Sequence, residues 1–264
     1  MGNRIEVKLG RLKEKKKKAL ITYMTAGLPD MEGTKEIIKA QEEAGTDIVE
    51  LGIPFSDPIA DGPVIQQASY EAIKKGTNLT KVFAMVEELR KDCQTPLAFM
   101  MYYNTILYYG VEAFAEKCAA CGVDGLIVPD LPFEEQGELR AALDRIADAP
   151  ILLQIVSPVS KERIPMLLRG ARGFVYCVSS MGVTGQAGEF HRNVKEYLNK
   201  VKELADIPVM MGFGIRNAAD VEFVKESIDG VIVGSHFITL MKENHYDREV
   251  IQEYIGTFER ELNG

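Results

Sequence analysis

The chain has 264 residues, 46% of them apolar, and a net charge of −8, with an isoelectric point near 5.1. That apolar share supports a full core and excludes disorder as the main state, and the length suits one large domain. The acidic balance argues against nucleic acid or an anionic membrane as partner, and it requires an anionic ligand to be held by local donors.

Residues 4–18 read as a surface helix with Ile5, Leu9 and Leu12 on one side, and the Lys15, Lys16, Lys17, Lys18 run as its solvated C-terminus. Residues 19–24 are the first apolar strand. Residues 31–44 are helical and Gly45 stops them. Residues 48–51 form the second strand, then come helices over 64–75 and 80–92. Further strands are read at 96–101, 125–128, 151–156, 174–178, 208–211 and 230–233. The helices between and after them cover 110–121, 135–146, 161–169, 193–204, 218–227 and 248–262. Continuous Val/Ile/Leu/Met runs mark strands buried on both faces, as in a parallel sheet. Eight such strands, each followed by a helix, predict an α/β fold: one (β/α)8 barrel over residues 1–264 with an extra N-terminal helix. A doubly wound open sheet is the alternative. It is disfavoured because no GxGxxG follows the first strand.

The N-terminus is basic but lacks the apolar stretch of a signal peptide, and no run approaches a membrane span. Four cysteines are scattered without framework spacing, which fits a reducing, cytoplasmic setting. Cys118 and Cys121 form a CxxC with no second pair, and buried thiols are the simpler reading. The histidines are not grouped as metal ligands.

One stretch stands out, residues 47–63, with the sequence DIVELGIPFSDPIADGP. Glu50 sits inside an apolar strand, where a carboxylate is costly unless neutralised or paired. Asp57 and Asp61 follow in a loop stiffened by Pro54, Pro58 and Pro63. Asp57 before Pro58 is ordinary turn chemistry. Glu50 and Asp61 instead fit acid–base groups at the carboxyl end of a barrel strand.

The other strand ends converge on the same face. Gly212, Phe213 and Gly214 follow the seventh strand, and Gly234 with Ser235 follows the eighth. Small residues at those two places, with Gly185 after the sixth strand, predict a phosphate site built on backbone N–H groups. The competing reading is that these glycines merely permit tight turns. Tyr23, Met101, Phe213 and Ile232 near strand ends, with Ile65 after the acidic loop, predict an apolar wall. A ligand with one phosphate and one flat apolar part would suit such a pocket.

Residues 50–58 and 60–63, then 182–185, 212–215 and 234–235, together resemble the α subunits of tryptophan synthase, and the likeness runs over essentially the whole chain. The resemblance implies retro-aldol cleavage of indole-3-glycerol phosphate to indole and glyceraldehyde 3-phosphate. It implies Glu50 and Asp61 as the catalytic pair with Tyr176 beside them. Tyr23 stands where Phe is usual, which adds a hydroxyl to the indole contact. It also implies a partner β subunit in an α–β–β–α heterotetramer. No cofactor is expected in this chain; the partner would carry pyridoxal phosphate.

A Schiff-base aldolase would need a lysine inside a strand, and an indole-glycerol phosphate synthase would need lysines at strand ends; neither pattern occurs. A non-catalytic activating subunit and a lyase active without a partner remain as alternatives. Finally, residues 179–188 form a Gly-rich loop poor in bulky side chains. Its Thr184 is expected to tie to Asp61 when a partner docks near Asp57, Pro58 and Asn104 and biases a lid shut.

Overall fold

The computed structural model describes residues 2–178, 187–212 and 214–264, with the backbone alone over 187–190. The strands are β1 (Ala19–Thr25), β2 (Ile48–Gly52), β3 (Leu97–Met100), β4 (Gly125–Ile127), β5 (Ile151–Leu152), β6 (Gln154–Val156), β7 (Val175–Val178), β8 (Val209–Gly212) and β9 (Gly230–Val233). All pair in parallel, in the order β5-β4-β3-β2-β1-β9-β8-β7-β6. β5 and β6 are two halves of the expected fifth strand, parted at Leu153. The first half pairs with β4 and the second with β7. That change of partner brings the two ends of the sheet together into a barrel.

Around it run α1 (Arg4–Glu14), α2 (Met31–Ala44), α3 (Pro63–Lys74), α4 (Leu79–Leu89), α5 (Tyr103–Tyr109), α6 (Val111–Cys121), α7 (Gly137–Asp144), α8 (Ile164–Leu167), α9 (Ala187–Leu204), α10 (Ser235–Glu243) and α11 (Arg248–Asn263). α5 and α10 have no counterpart among the expected helices; seven and nine residues are too few for a clear 3.6-residue period. The helix expected at 161–169 shrinks to α8, and 218–227 is a 3-10 helix. α1 stops at Glu14, because Lys16 turns to φ 55° and the chain reverses. The lysine run is therefore not a free helix end. Lys18 Nζ donates to the Ile228 carbonyl at 3.0 Å, and Lys17 pairs with Glu259 at 2.8 Å.

Side chains alternate across each strand. Ala19, Ile21, Ile48, Ala98, Ile127, Phe174, Met210 and Ile232 point into the barrel, and Ile5 and Leu9 of α1 close its lower end. Leu20, Val49, Leu51, Phe99 and Val231 point outward against the helices. α1 is tied down by the buried Asp124, whose carboxylate takes Arg4 at 3.0 Å, Arg90 at 2.9 Å and the Leu97 N–H at 2.9 Å. α1 thus plugs the lower end, and the unusual acids lie toward the opposite end.

Candidate active site

The strand register sets the site. Tyr23 on β1 lies beside Glu50 on β2, and Gly52 beside Met100 on β3. Tyr176 on β7 continues the inward set that includes Phe174. Two glycines make room for the tyrosines. A Cβ at Gly52 would fall 2.0 Å from the Tyr23 hydroxyl, and one at Gly212 would fall 2.7 Å from that of Tyr176. The rings therefore lie over bare backbone at the carboxyl end of the barrel.

A cavity of about 360 Å³ opens there, lined by Tyr23, Asp61, Ile65, Met100, Tyr176, Gly214, Arg216, Ile232, Gly234 and Ser235 among others. A larger groove of about 620 Å³ lies alongside, between α3 and α10, and shares Val64 and Thr239 with it. The smaller cavity is the candidate site, because Asp61 and Tyr23 line it and the buried Glu50 lies beside them.

Glu50 does not itself line the cavity; it is buried, 1% exposed, beside the lining Tyr23 and close enough to the lining Asp61 to feel its charge. Both its carboxyl oxygens are buried without a hydrogen-bond partner among the described residues. Burial first, and then the nearby Asp61 charge, push its carboxyl up to about 8, so it is protonated at neutral pH. Asp61 is also raised, by burial, and the Tyr102 hydroxyl, donating to Oδ2 at 2.9 Å, offsets only part of that rise. The same hydroxyl accepts the Ala60 N–H at 2.9 Å, and the ring stacks on Phe55 at 5.0 Å. Tyr102 thus fixes the acidic loop onto the strand-three loop. Tyr23 and Tyr176 are raised by burial and by both acids, and Tyr102 by burial and by Asp61, so all three remain neutral phenols. The result is one protonated carboxyl and one hydrogen-bonded carboxyl, ringed by hydroxyl groups: two carboxyls set to different tasks by their surroundings.

At the other end of the cavity lies the N-terminus of α10. Gly234 is its N-cap and provides no side-chain cap, so the first N–H groups of that helix lack a partner from a capping side chain. The 3-10 helix at 218–227 differs. Asn217 and Asp220 close its start in a capping box, which occupies two of its N–H groups with the helix's own side chains. Anion binding by small residues at a helix N-terminus therefore falls to Gly234, Ser235 and the neighbouring Gly214.

The structure brings together Glu50, Asp61, Tyr176, Tyr23, Ile65, Ile232, Gly214, Gly234 and Ser235. Met101 is a correction. It points outward into the helix-facing core, 1% exposed, and Met100 takes the cavity position. Side chains alternate, so a one-residue slip along β3 exchanges the two faces. Thr184, Gly185 and Phe213 lie outside the described residues. Asp57 and Asn104 are exposed on the rim, with Pro58 beside them. Sequence reading missed Tyr102, Met100 and Arg216. For Met100 and Tyr102 the signal was parity: both lie at even steps from inward-facing Ala98.

Barrels that place acid–base groups at one end of a cavity and an open helix N-terminus at the other form a class: phosphate-binding (β/α)8 enzymes. Comparison with known proteins narrows the class. The family model described as tryptophan synthase alpha chain matches residues 9–263, and the chain belongs to that family of lyase subunits. It is 60% identical over 262 residues to the tryptophan synthase alpha chain of Lachnospira eligens, covering 99% of both chains. It is 44% identical to that of Alkaliphilus metalliredigens, covering 96% of this chain and 94% of the relative. The crystal structure of the alpha subunit from Legionella pneumophila superposes with a TM-score of 0.90 at 32% identity, covering 99% of each chain. A chain in the crystal structure of tryptophan synthase from M. tuberculosis gives 0.87 at 32% identity, covering 99% of each.

Proposed function

We propose that the chain works as one barrel domain and cleaves indole-3-glycerol phosphate, with Glu50 and Asp61 as the acting pair. The observation that carries this is a buried Glu50 whose oxygens have no hydrogen-bond partner among the described residues, beside an Asp61 held by Tyr102. The Glu50 carboxyl gives its proton to ring carbon C3, and the positive charge that develops on the indole nitrogen is stabilised by the Asp61 carboxylate. The C–C bond to the glycerol chain then breaks and its electron pair returns to the ring. Glu50, now a carboxylate, takes the proton of the glycerol hydroxyl as the aldehyde forms. Protons balance over the cycle, and Glu50 ends in its starting form. Tyr176, over Gly212, shapes the ring end together with Tyr23, Ile65, Met100 and Ile232, and the phosphate rests on Gly214, Gly234 and Ser235, with Gly185 assigned to the same role by sequence and resemblance alone.

The chain needs no cofactor of its own in this scheme. Indole passes to a pyridoxal phosphate β subunit in an α–β–β–α assembly in the cytoplasm. Among the described residues no helix is long and apolar enough to cross a membrane. The rim supports a docking partner: Ile59 and Tyr108, 86% and 94% exposed, flank Asp57, Pro58 and Asn104. Docking there would bias the acidic loop and Thr184 toward the closed form. The test is release of indole from indole-3-glycerol phosphate by the purified chain, with and without β subunit. Absence of release in both would leave only an activating, non-catalytic subunit.

A further inference from the structure

Resting on that reading of the site, we infer that Arg216 is a substrate-recognition residue that puts a full positive charge on the phosphate. A phosphate entering this cavity meets an unfavourable field. The chain carries −8 overall, and the Asp61 carboxyl lines the same cavity. Backbone N–H groups at the start of α10 supply only partial charge. Among the described residues that line the cavity, Arg216 is the one arginine or lysine, and it sits two positions after Gly214.

Its backbone is fixed from both sides. The Arg216 N–H donates to Asp220 Oδ2 at 2.8 Å, and its carbonyl accepts the Tyr254 hydroxyl at 2.7 Å. Tyr254 in turn stacks on Phe237 of α10 at 5.8 Å. Arg216 is thereby held in place relative to the helix whose N-terminus faces the ligand. The side chain, in contrast, is loosely engaged. The side chain as a whole is 66% exposed, and its Nε lies 3.7 Å from Asp220 Oδ2. That oxygen already accepts the N–H groups of Arg216 and Asn217. A long, exposed pair of this kind contributes little. The planar fork of donors is thus available to a phosphate, which it matches in two-point geometry.

The test is calorimetric titration of the full chain with glycerol 3-phosphate at low and high ionic strength. The proteins are the wild type, Arg216→Gln, Arg216→Lys and Ser235→Asp. Arg216→Gln is expected to weaken binding roughly three- to tenfold at low salt and to flatten its salt dependence. Arg216→Lys is expected to restore the salt dependence but only part of the affinity. An Arg216→Gln affinity within twofold of wild type, with Ser235→Asp impaired, overturns the role of Arg216 and leaves the phosphate site standing. Equal losses in both arginine variants with a wild-type salt slope also overturn it, since the residue would then act only through the backbone around Asp220. Unchanged affinity in every variant would remove the phosphate from this end of the cavity altogether.

Discussion

Replacing Glu50 by Gln keeps the shape of the side chain and removes its titration. In the folded protein the Glu50 carboxyl stands at about 8 rather than at its ordinary 4.5. Ionising it in place therefore costs on the order of 5 kcal/mol, at 1.36 kcal/mol per pH unit. Between those two values the folded chain holds a proton that the unfolded chain has released. Stability must then fall as pH rises through that window and level off above it. Glu50→Gln has no such proton. The variant should gain on the wild type by several kcal/mol between about pH 5 and about pH 9, as read from urea unfolding at stepped pH. Turnover should move the other way, falling about 10²- to 10⁴-fold in indole release, because the proton donor to C3 is gone. A stability gap that stays constant within about 1 kcal/mol across that range would refute the buried, protonated carboxyl. A drop in kcat below about tenfold would remove Glu50 from acid–base work.

Tyr102→Phe removes the donor to Asp61 and the acceptor of the Ala60 N–H. Losing that bond raises the Asp61 carboxyl further, so the acidic limb of the kcat/KM profile should shift to higher pH with about a tenfold loss of activity; an unmoved limb argues that the two do not cooperate. Ser235→Asp should fold normally, since an acid suits the first position of α10, yet weaken glycerol 3-phosphate by more than about tenfold. Unaltered calorimetric affinity would place the phosphate elsewhere. Met101→Ala should cost about 2 to 5 kcal/mol of stability without raising KM, whereas Met100→Ala should raise KM several-fold. The reverse pattern would mean that β3 is turned over.

The eightfold alternation was written in the sequence because strands of a parallel sheet covered on both faces must be apolar throughout, with a helix returning the chain after each. Glu50 and Asp61 were equally legible: an acid within an apolar run has no packing reason to be there. The small residues of the proposed phosphate site were readable as residue types, after the last strands. Other features waited for the tertiary structure. Whether Met100 or Met101 faces the substrate depends on β3's register with β2, which no local pattern reports. The bond from Tyr102 to Asp61 joins residues 41 apart in the chain, and only closure of the barrel brings them together. The choice of α10 over the 3-10 helix as anion site rests on one start being uncapped and the other boxed by Asn217 and Asp220. Arg216 gained its place through Tyr254, on a helix at the far end of the sequence. Composition and periodicity fix which faces must be buried; the partners met across the barrel are decided by strand register and closure.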